Sequence, residues 1–268
     1  MPEGDTIHGA ADRLNEELIG QEVVRASGSH RAMIEYGRRI AETEILSATA
    51  HGKHLLIDFS NGWTLRTHLQ MTGQWHVYAP GERWRKSPGK ARVVIETAET
   101  VAVCFAAPTV QLAPRRIVAR RIADLGPDLM QQFNGASLAT RVLEMGGSDA
   151  ICDTLLDQSI VAGIGNVYKS ELLFLEGIHP VTPTDRLRQD AVAALLERAG
   201  RLLQANRGRA RTTTGSRGRG RQTWVYGRAG LECRRCGATI QRTTHGPLQR
   251  STYWCPTCQP PANAAAST

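Results

Sequence analysis

Four cysteines near the C-terminus restrict that end of the chain more tightly than any other feature of the sequence. Cys233-x2-Cys236, then 18 residues, then Cys255-x2-Cys258 is the spacing of a tetrahedral four-thiolate site. Each pair can present two thiolates from one tight turn. A closed shell of four thiolates leaves no open position for a substrate, so a single structural Zn2+ would fold a small β-hairpin rather than perform chemistry. A redox CxxC is disfavoured because two pairs occur and no thioredoxin-like βαβ pattern surrounds them. The other two cysteines, Cys104 and Cys152, lie in apolar stretches and read as small buried hydrophobes. Thiols grouped in this way indicate metal ligation in a reducing compartment rather than a disulfide framework.

Charge is concentrated in the same region. Of the net +8, residues 201–250 carry +11, with 12 arginines, no lysine and Glu232 as the single acid, leaving −3 for the rest. A cationic segment of this kind suits a polyanion, because each neutralised phosphate releases counterions without any need for base contacts. Charge alone leaves two other readings open, a disordered basic linker and a surface for acidic lipid. The start, Met1-Pro2-Glu3-Gly4-Asp5, has neither a basic n-region nor an apolar h-region, and no run of 18 apolar residues follows. A cytoplasmic protein without a membrane partner is expected.

The pattern along the chain predicts an α+β protein. Residues 5–18 place Ile7, Ala10, Ala11, Leu14 and Leu18 at helical spacing, with Asp5 or Thr6 available as N-cap. Residues 18–122 then read as short β-rich runs, among them 21–25, 54–59, 63–68 and 92–96, divided by Gly, Pro and Asn signals, as in a β-sandwich or barrel. Leu125-Gly126-Pro127-Asp128 reads as a linker. Helical spacing returns at 138–145, 151–160, 167–175 and 186–204. Residues 206–221, rich in Arg, Gly and Thr, should be mobile without a ligand, and the Pro- and Ala-rich tail after Cys258 should be disordered. The expected division is a catalytic β-sandwich domain over 1–124, a linker over 125–130, a helical domain over 131–222, a zinc finger over 223–260 and a tail over 261–268.

Two further motifs carry possible chemistry. Gly163-Ile164-Gly165-Asn166 lies between two predicted helices, where glycines permit close backbone approach and helix-start amides can bind phosphate. An ordinary helix–helix turn capped by Asn166 is the alternative. With Met1 removed, Pro2 offers a secondary amine, and condensation of such an amine with a sugar aldehyde gives a cationic iminium that acidifies the neighbouring carbon. Elimination of the 3′ phosphate then becomes possible, with Glu3 as the adjacent proton shuttle.

These features together resemble the formamidopyrimidine-DNA glycosylase/endonuclease VIII family over residues 1–259. The matching motifs are Met1-Pro2-Glu3-Gly4, Gly52-Lys53, His68-Leu69-Gln70-Met71-Thr72-Gly73, Leu125-Gly126-Pro127, Gly163-Ile164-Gly165-Asn166-Val167-Tyr168, Val225-Tyr226-Gly227-Arg228, and the run Gln249-Arg250-Ser251-Thr252-Tyr253-Trp254-Cys255-Pro256-Thr257-Cys258. The resemblance implies Pro2 as Schiff-base nucleophile, Glu3 as acid/base group, and Lys53 and Arg250 as catalytic-site cations gripping phosphate. By the same resemblance, Asn166 on a helix-two-turn-helix turn shares that grip, and His68 and Tyr226 touch the DNA backbone. Gln70, Met71 and Thr72 would fill the void left by an extruded base, which costs roughly a few kcal/mol to unstack. A buried core position is the alternative for Met71, and a solvated hairpin lysine for Lys53.

The resemblance thus implies a monomeric, bifunctional DNA glycosylase and abasic-site lyase that removes oxidised bases from double-stranded DNA and cuts by β,δ-elimination. The opening Met-Pro-Glu-Gly-Asp-Thr is closer to the endonuclease VIII branch, which implies oxidised pyrimidines. Purine lesions of the 8-oxoguanine type are the alternative, together with a non-catalytic damaged-DNA-binding protein. A zinc-ribbon transcription factor lacks a recognition-helix signature here.

Overall fold

The structure, a computed structural model, describes residues 1–216, 218, 220–246 and 249–261. It divides into two compact units, Met1–Asp124 and Leu125–Thr268.

The first unit opens with helix α1 (Gly4–Leu18), which turns Ile7, Ala11, Leu14 and Leu18 into the core. Its N-cap is Glu3, one position ahead of the candidates Asp5 and Thr6, and the Glu3 carbonyl accepts from the N–H groups of Thr6 and Ile7. After β1 (Arg25–Ser27), α2 (Arg31–Tyr36), β2 (Ile45–His51), β3 (His54–Phe59), β4 (Trp63–His68), β5 (Gln74–Tyr78), β6 (Ala91–Glu96), β7 (Val101–Phe105) and β8 (Thr109–Pro114), the unit ends in α3 (Arg115–Ala123). Among the described residues the strands form two antiparallel sheets, ordered β1-β6-β7-β5 and β2-β3-β4-β8. Strand β3 buries Leu55, Ile57 and Phe59 and turns His54, Leu56 and Asp58 to the other face, the alternation expected of a sheet covered on one side. Strand β7 is buried throughout, because Ala102 and Cys104 face the main core while Val101, Val103 and Phe105 join a second cluster with Tyr78 and Val94.

Two expectations for this unit need correction. The 21–25 run is not a strand: only Glu22 bridges to Glu44, and the strand proper begins at Arg25. The β-rich reading also overran α3, where Arg115–Ala123 forms a helix directly after Pro114. That helix buries only Val118, so its sequence carries almost no apolar period to detect.

The second unit packs α4 (Gly135–Gly146), α5 (Ile151–Thr154), α6 (Asn166–Leu175) and α7 (Gln189–Asn206) around Leu138, Val142, Tyr168, Leu172, Leu195 and Leu203. A hairpin of β9 (Gln241–His245) and β10 (Arg250–Trp254) follows. The expected helix at 151–160 stops at Thr154, since the Asp157 carboxylate takes the Ser159 N–H and hydroxyl and so breaks the helical ladder. The expected helix at 186–204 begins only at Gln189. The segment read as a linker is instead built into this unit. Gly126 N–H donates to the Gln158 carbonyl, Ala162 N–H donates to Pro127, and Asp128 bridges Ala162. A Cβ at Gly126 would meet the Ile160 carbonyl oxygen at 2.4 Å, which explains glycine there. No helix among the described residues is long and apolar enough to cross a membrane.

Candidate nucleic-acid interface and metal centre

In the first unit the residues singled out in the sequence sit at element ends. Pro2 is half-buried, immediately ahead of the N-cap of α1, and Glu3 beside it is fully buried. Gly52-Lys53 forms the two-residue turn between β2 and β3, closed by the His51–His54 pair, and Gly52 has φ 55°. A glycine with positive φ at the first turn position matches the twist that joins two antiparallel strands tightly. Lys53 is half-buried.

The loop after β4 is shaped by its own backbone. Gln70 adopts φ 47°, and its N–H donates to His68 Nδ1 at 3.3 Å. Gly73 N–H donates to the Leu69 carbonyl, and a Cβ at Gly73 would lie 2.7 Å from that oxygen. Leu69 and Gly73 are buried, whereas Gln70, Met71 and Thr72 are exposed. Met71 is 67% exposed, so the buried-core alternative for this methionine is excluded. An unbranched apolar side chain on a fixed loop is a suitable wedge between bases.

Burial and neighbouring cations govern the imidazoles at this end of the sheet. His54 is pushed down to about 3, first by burial and then by His68, Arg66, His51 and Lys53. His68 is pushed down to about 4, first by burial and then by Lys53 and Arg66. Both rings are neutral at physiological pH.

In the second unit Asn166 is the first residue of α6, and Gly165 occupies the cap position, so the capping alternative for Asn166 does not hold. Gly163 has φ 111°. Three residues further on, α6 carries Lys169, Ser170 and Glu171, all fully buried and none singled out in the sequence. Lys169 Nζ donates to Thr252 Oγ1 at 2.8 Å and to the Ser251 carbonyl at 3.1 Å, while Ser170 Oγ accepts from Tyr253 N–H. These contacts tie α6 to β10. Glu171 accepts from the N–H groups of Trp224 at 2.7 Å, Val225 at 2.8 Å and Tyr226 at 2.7 Å, and from the Thr213 hydroxyl. Burial pushes its carboxyl above the usual range, opposed by these hydrogen bonds. The signal was present in the sequence as a polar triplet with two opposite charges, Lys169 and Glu171, ahead of the apolar run Leu172-Leu173-Phe174-Leu175.

The same contacts pinch the neck of the Arg- and Gly-rich stretch. Thr213 N–H donates to the Gln222 carbonyl at 2.7 Å, and Trp224 Nε1 donates to the Thr213 carbonyl at 3.2 Å. Asn206 and Thr212 are buried and hydrogen-bonded to each other, so the stretch expected to be mobile is anchored at both ends. Arg217 and Arg219 within it lie outside the described residues, as do residues 262–268 of the expected tail. The ordered chain continues past Cys258, since Gln259 is fully buried and its amide spans the Cys255 N–H and the Ile178 carbonyl.

The four cysteines converge. Their sulfurs all lie within 4.8 Å of one another, with Cys236–Cys255 at 3.4 Å and Cys233–Cys258 at 3.9 Å. Four thiolates around zinc at about 2.3 Å require sulfur separations of about 3.8 Å, so the donor set and its spacing fit one Zn2+. The N–H of Arg235 points at the Cys233 sulfur and that of Cys258 at the Cys255 sulfur, as expected where thiolates need stabilising. The centre closes the base of the β9–β10 hairpin. Arg250, exposed at the start of β10, lines a cavity of about 430 Å³ together with Asp153, Asp157, Gln158 and His245. Asp153 accepts from His245 Nδ1 at 2.5 Å and so holds the hairpin's far end against α5. Tyr226, half-buried, packs against Tyr253 with ring centroids 5.0 Å apart.

A two-sheet unit with a leading helix, followed by a helical unit that carries a four-cysteine hairpin, defines a class of DNA-repair scaffold. Residues 1–109 match the formamidopyrimidine-DNA glycosylase N-terminal domain, 125–216 match the H2TH domain of the same enzymes, and 230–261 match the zinc finger found in FPG and IleRS. The chain is 41% identical over 265 residues to the probable endonuclease 8 2 of Streptomyces coelicolor, covering 97% of this chain and 94% of that protein. It is 37% identical to the DNA-(apurinic or apyrimidinic site) lyase Nei2 of Mycolicibacterium smegmatis, covering 97% and 99%. The fold matches that of Lactococcus lactis formamidopyrimidine-DNA glycosylase, solved with DNA containing an abasic site, with a TM-score of 0.83 at 23% identity over 97% of this chain and 100% of that one. The chain belongs to the formamidopyrimidine-DNA glycosylase/endonuclease VIII family.

Proposed function

We propose that this chain is a bifunctional DNA glycosylase and abasic-site lyase of base excision repair, acting as a monomer on double-stranded DNA and using Pro2 as nucleophile. The observation that carries the reading is the placement of Pro2 directly before a buried carboxylate at a helix N-terminus, in a chain whose relatives include one named an abasic-site lyase.

Once Met1 is removed, the Pro2 amine attacks C1′ of the extruded nucleotide, and the bond from C1′ to the base breaks. Glu3 moves the protons needed to open the sugar ring, leaving an iminium between Pro2 and C1′. The cation makes a C2′ proton acidic; its loss expels the 3′ phosphate, and a second elimination expels the 5′ phosphate. Water then releases the unsaturated sugar aldehyde and restores the amine. Lys53, Arg250 and Asn166 would hold the phosphates around the lesion, Arg250 by bidentate hydrogen bonds. His68 and Tyr226 would contact the backbone, and Gln70, Met71 and Thr72 would occupy the vacated stack. The zinc ion folds the hairpin and takes no part in the reaction.

Oxidised pyrimidines are the proposed substrates. Support comes from the opening motif and from the relatives themselves, since those named endonuclease 8 reach 41% identity and those named formamidopyrimidine-DNA glycosylase reach 35%.

Borohydride reduces an iminium to a stable amine, so incubation of the Met1-processed protein with DNA containing an oxidised pyrimidine should yield a covalent complex. An abasic site should trap equally well. Absence of a trapped band with either DNA, at an intact mass that verifies loss of Met1, would overturn the proposal in favour of a non-catalytic damage-binding protein.

A further inference from the structure

His54 and His68 are register partners across β3 and β4, with ring centroids 4.8 Å apart and planes at 55°. The donors around them fix where their protons sit. Arg66 Nη1 lies 3.5 Å from His54 Nδ1, and the backbone N–H of Gln70 donates to His68 Nδ1 at 3.3 Å. A guanidinium and an amide N–H can only donate. Each Nδ1 is therefore the acceptor, and each neutral ring carries its proton on Nε2. The left-handed backbone of Gln70, at φ 47°, turns its N–H back to the ring two residues before it.

The surroundings oppose a second proton on either ring. His51 and Lys53 adjoin the pair from β2 and the β2–β3 turn. From β4 comes Arg66, whose Nε donates to Gln111 of β8 and which is itself in the field of Arg121 on α3. These neighbours are all basic residues. Burial acts in the same direction, and the two rings are held at about 3 and about 4.

We propose that His68 is a neutral hydrogen-bond donor to a DNA phosphate oxygen, its tautomer fixed by the Gln70 N–H, and that His54 is the positioning residue whose packing holds the His68 ring buried and in place. The phosphate rests on the DNA-repair reading above, whereas the tautomer and the pairing do not. An isolated surface histidine that meets a phosphate takes up a proton and binds as a cation. Here the ring stays neutral, so His68 contributes direction while the adjacent Lys53 contributes charge. Two consequences separate this from ordinary cationic binding. The His68 contact is insensitive to pH between 6 and 8, and it releases no counterion.

Long-range proton–nitrogen correlation spectra of the labelled full-length protein, recorded from pH 7.5 to 4.5, test the pairing without DNA. Both rings should show the Nε2–H pattern and remain neutral down to about pH 5. His54→Ala should move the His68 titration upward towards its ordinary value, and His54→Phe, which restores ring packing, should reverse most of that shift. An Nδ1–H pattern on either ring, titration of either near 6.5, or a His68 signal indifferent to His54→Ala would overturn the proposal. Binding to DNA bearing a tetrahydrofuran abasic analogue, measured between 50 and 200 mM salt, tests the phosphate. His68→Ala should weaken affinity about tenfold at an unchanged salt slope, whereas Lys53→Ala should reduce the slope by about 0.9. A slope lowered equally by His68→Ala would make the ring a cation and refute the neutral site. If the wild-type protein does not bind this DNA, the repair function fails, and with it the phosphate half of the proposal, while the spectra still decide the pairing.

Discussion

The two units solve the same problem, holding polar groups at fixed positions, by opposite means. In the sandwich unit the candidate site residues sit on turns and strand ends that project from an apolar core, and only Glu3 among them is fully buried. In the helical unit the residues that do the holding are themselves buried charges, Lys169 and Glu171, and the far end is closed by a metal centre. One unit relies on packing and the other on satisfied polar networks. They should therefore fail differently when cut. Loss of a packed side chain leaves a cavity, whereas loss of one network member leaves its partners desolvated and unpaired.

The largest separation between the units should come from Cys255→Ala. Structural zinc contributes about 10–16 kcal/mol to modules of this type, so bound zinc should fall from one equivalent to none, and the hairpin should lose its proteolytic protection. The Met1–Asp124 unit should keep its own melting transition; if both units unfold together, the comparison is wrong. Next comes Glu171→Ala, which leaves the backbone N–H groups of Trp224, Val225 and Tyr226 unpaired. At about 1–3 kcal/mol for each buried orphan, urea titration should register a loss of about 5 kcal/mol. In the sandwich, Phe59→Ala should cost about 3–5 kcal/mol without altering zinc content.

Acid should act on the sandwich through its two neutral imidazoles. His54 and His68 stay unprotonated in the folded state down to about 3 and about 4, while in the unfolded chain they take up protons near 6.5. Between those limits the unfolded state binds more protons, so their contribution destabilises the fold as pH falls from about 6.5 towards 4. A His54→Gln/His68→Gln variant should lose stability less steeply over that window, as followed by denaturant titration at stepped pH. Glu171 has the opposite sign. Its raised carboxyl favours the folded state below the ordinary carboxylate range and withdraws that contribution as pH rises. The smallest effect on stability should be that of Met71→Ala, within about 0.5 kcal/mol for an exposed side chain. Its expected cost lies instead in lesion processing, read as slower excision with unchanged melting.

Much of this molecule was legible in its sequence where a local rule dominates. Strands over 54–59 and 63–68 coincide with β3 and β4 because alternation, turn residues and core all point the same way. The four cysteines were legible because thiolate spacing has few other meanings. Helix α3 was hidden by its arginines, and the 151–160 helix was cut short by a side chain that competes with the backbone. Lys169, Ser170 and Glu171 went unread for another reason. Their partners at Thr213, Trp224–Tyr226 and Ser251–Tyr253 are distant in sequence, and a buried charge can be inferred only when its acceptors or donors are known.

The pinched neck between Thr213 and Gln222 has an evolutionary consequence. Because the ends of that stretch are fastened to α6 and to Trp224, what lies between them can be lengthened, shortened or rewritten at an entropic cost that grows only logarithmically with length. A lineage could then exchange one loop for another while inheriting the scaffold unchanged. Loop sequence and fold stability would drift as separate traits.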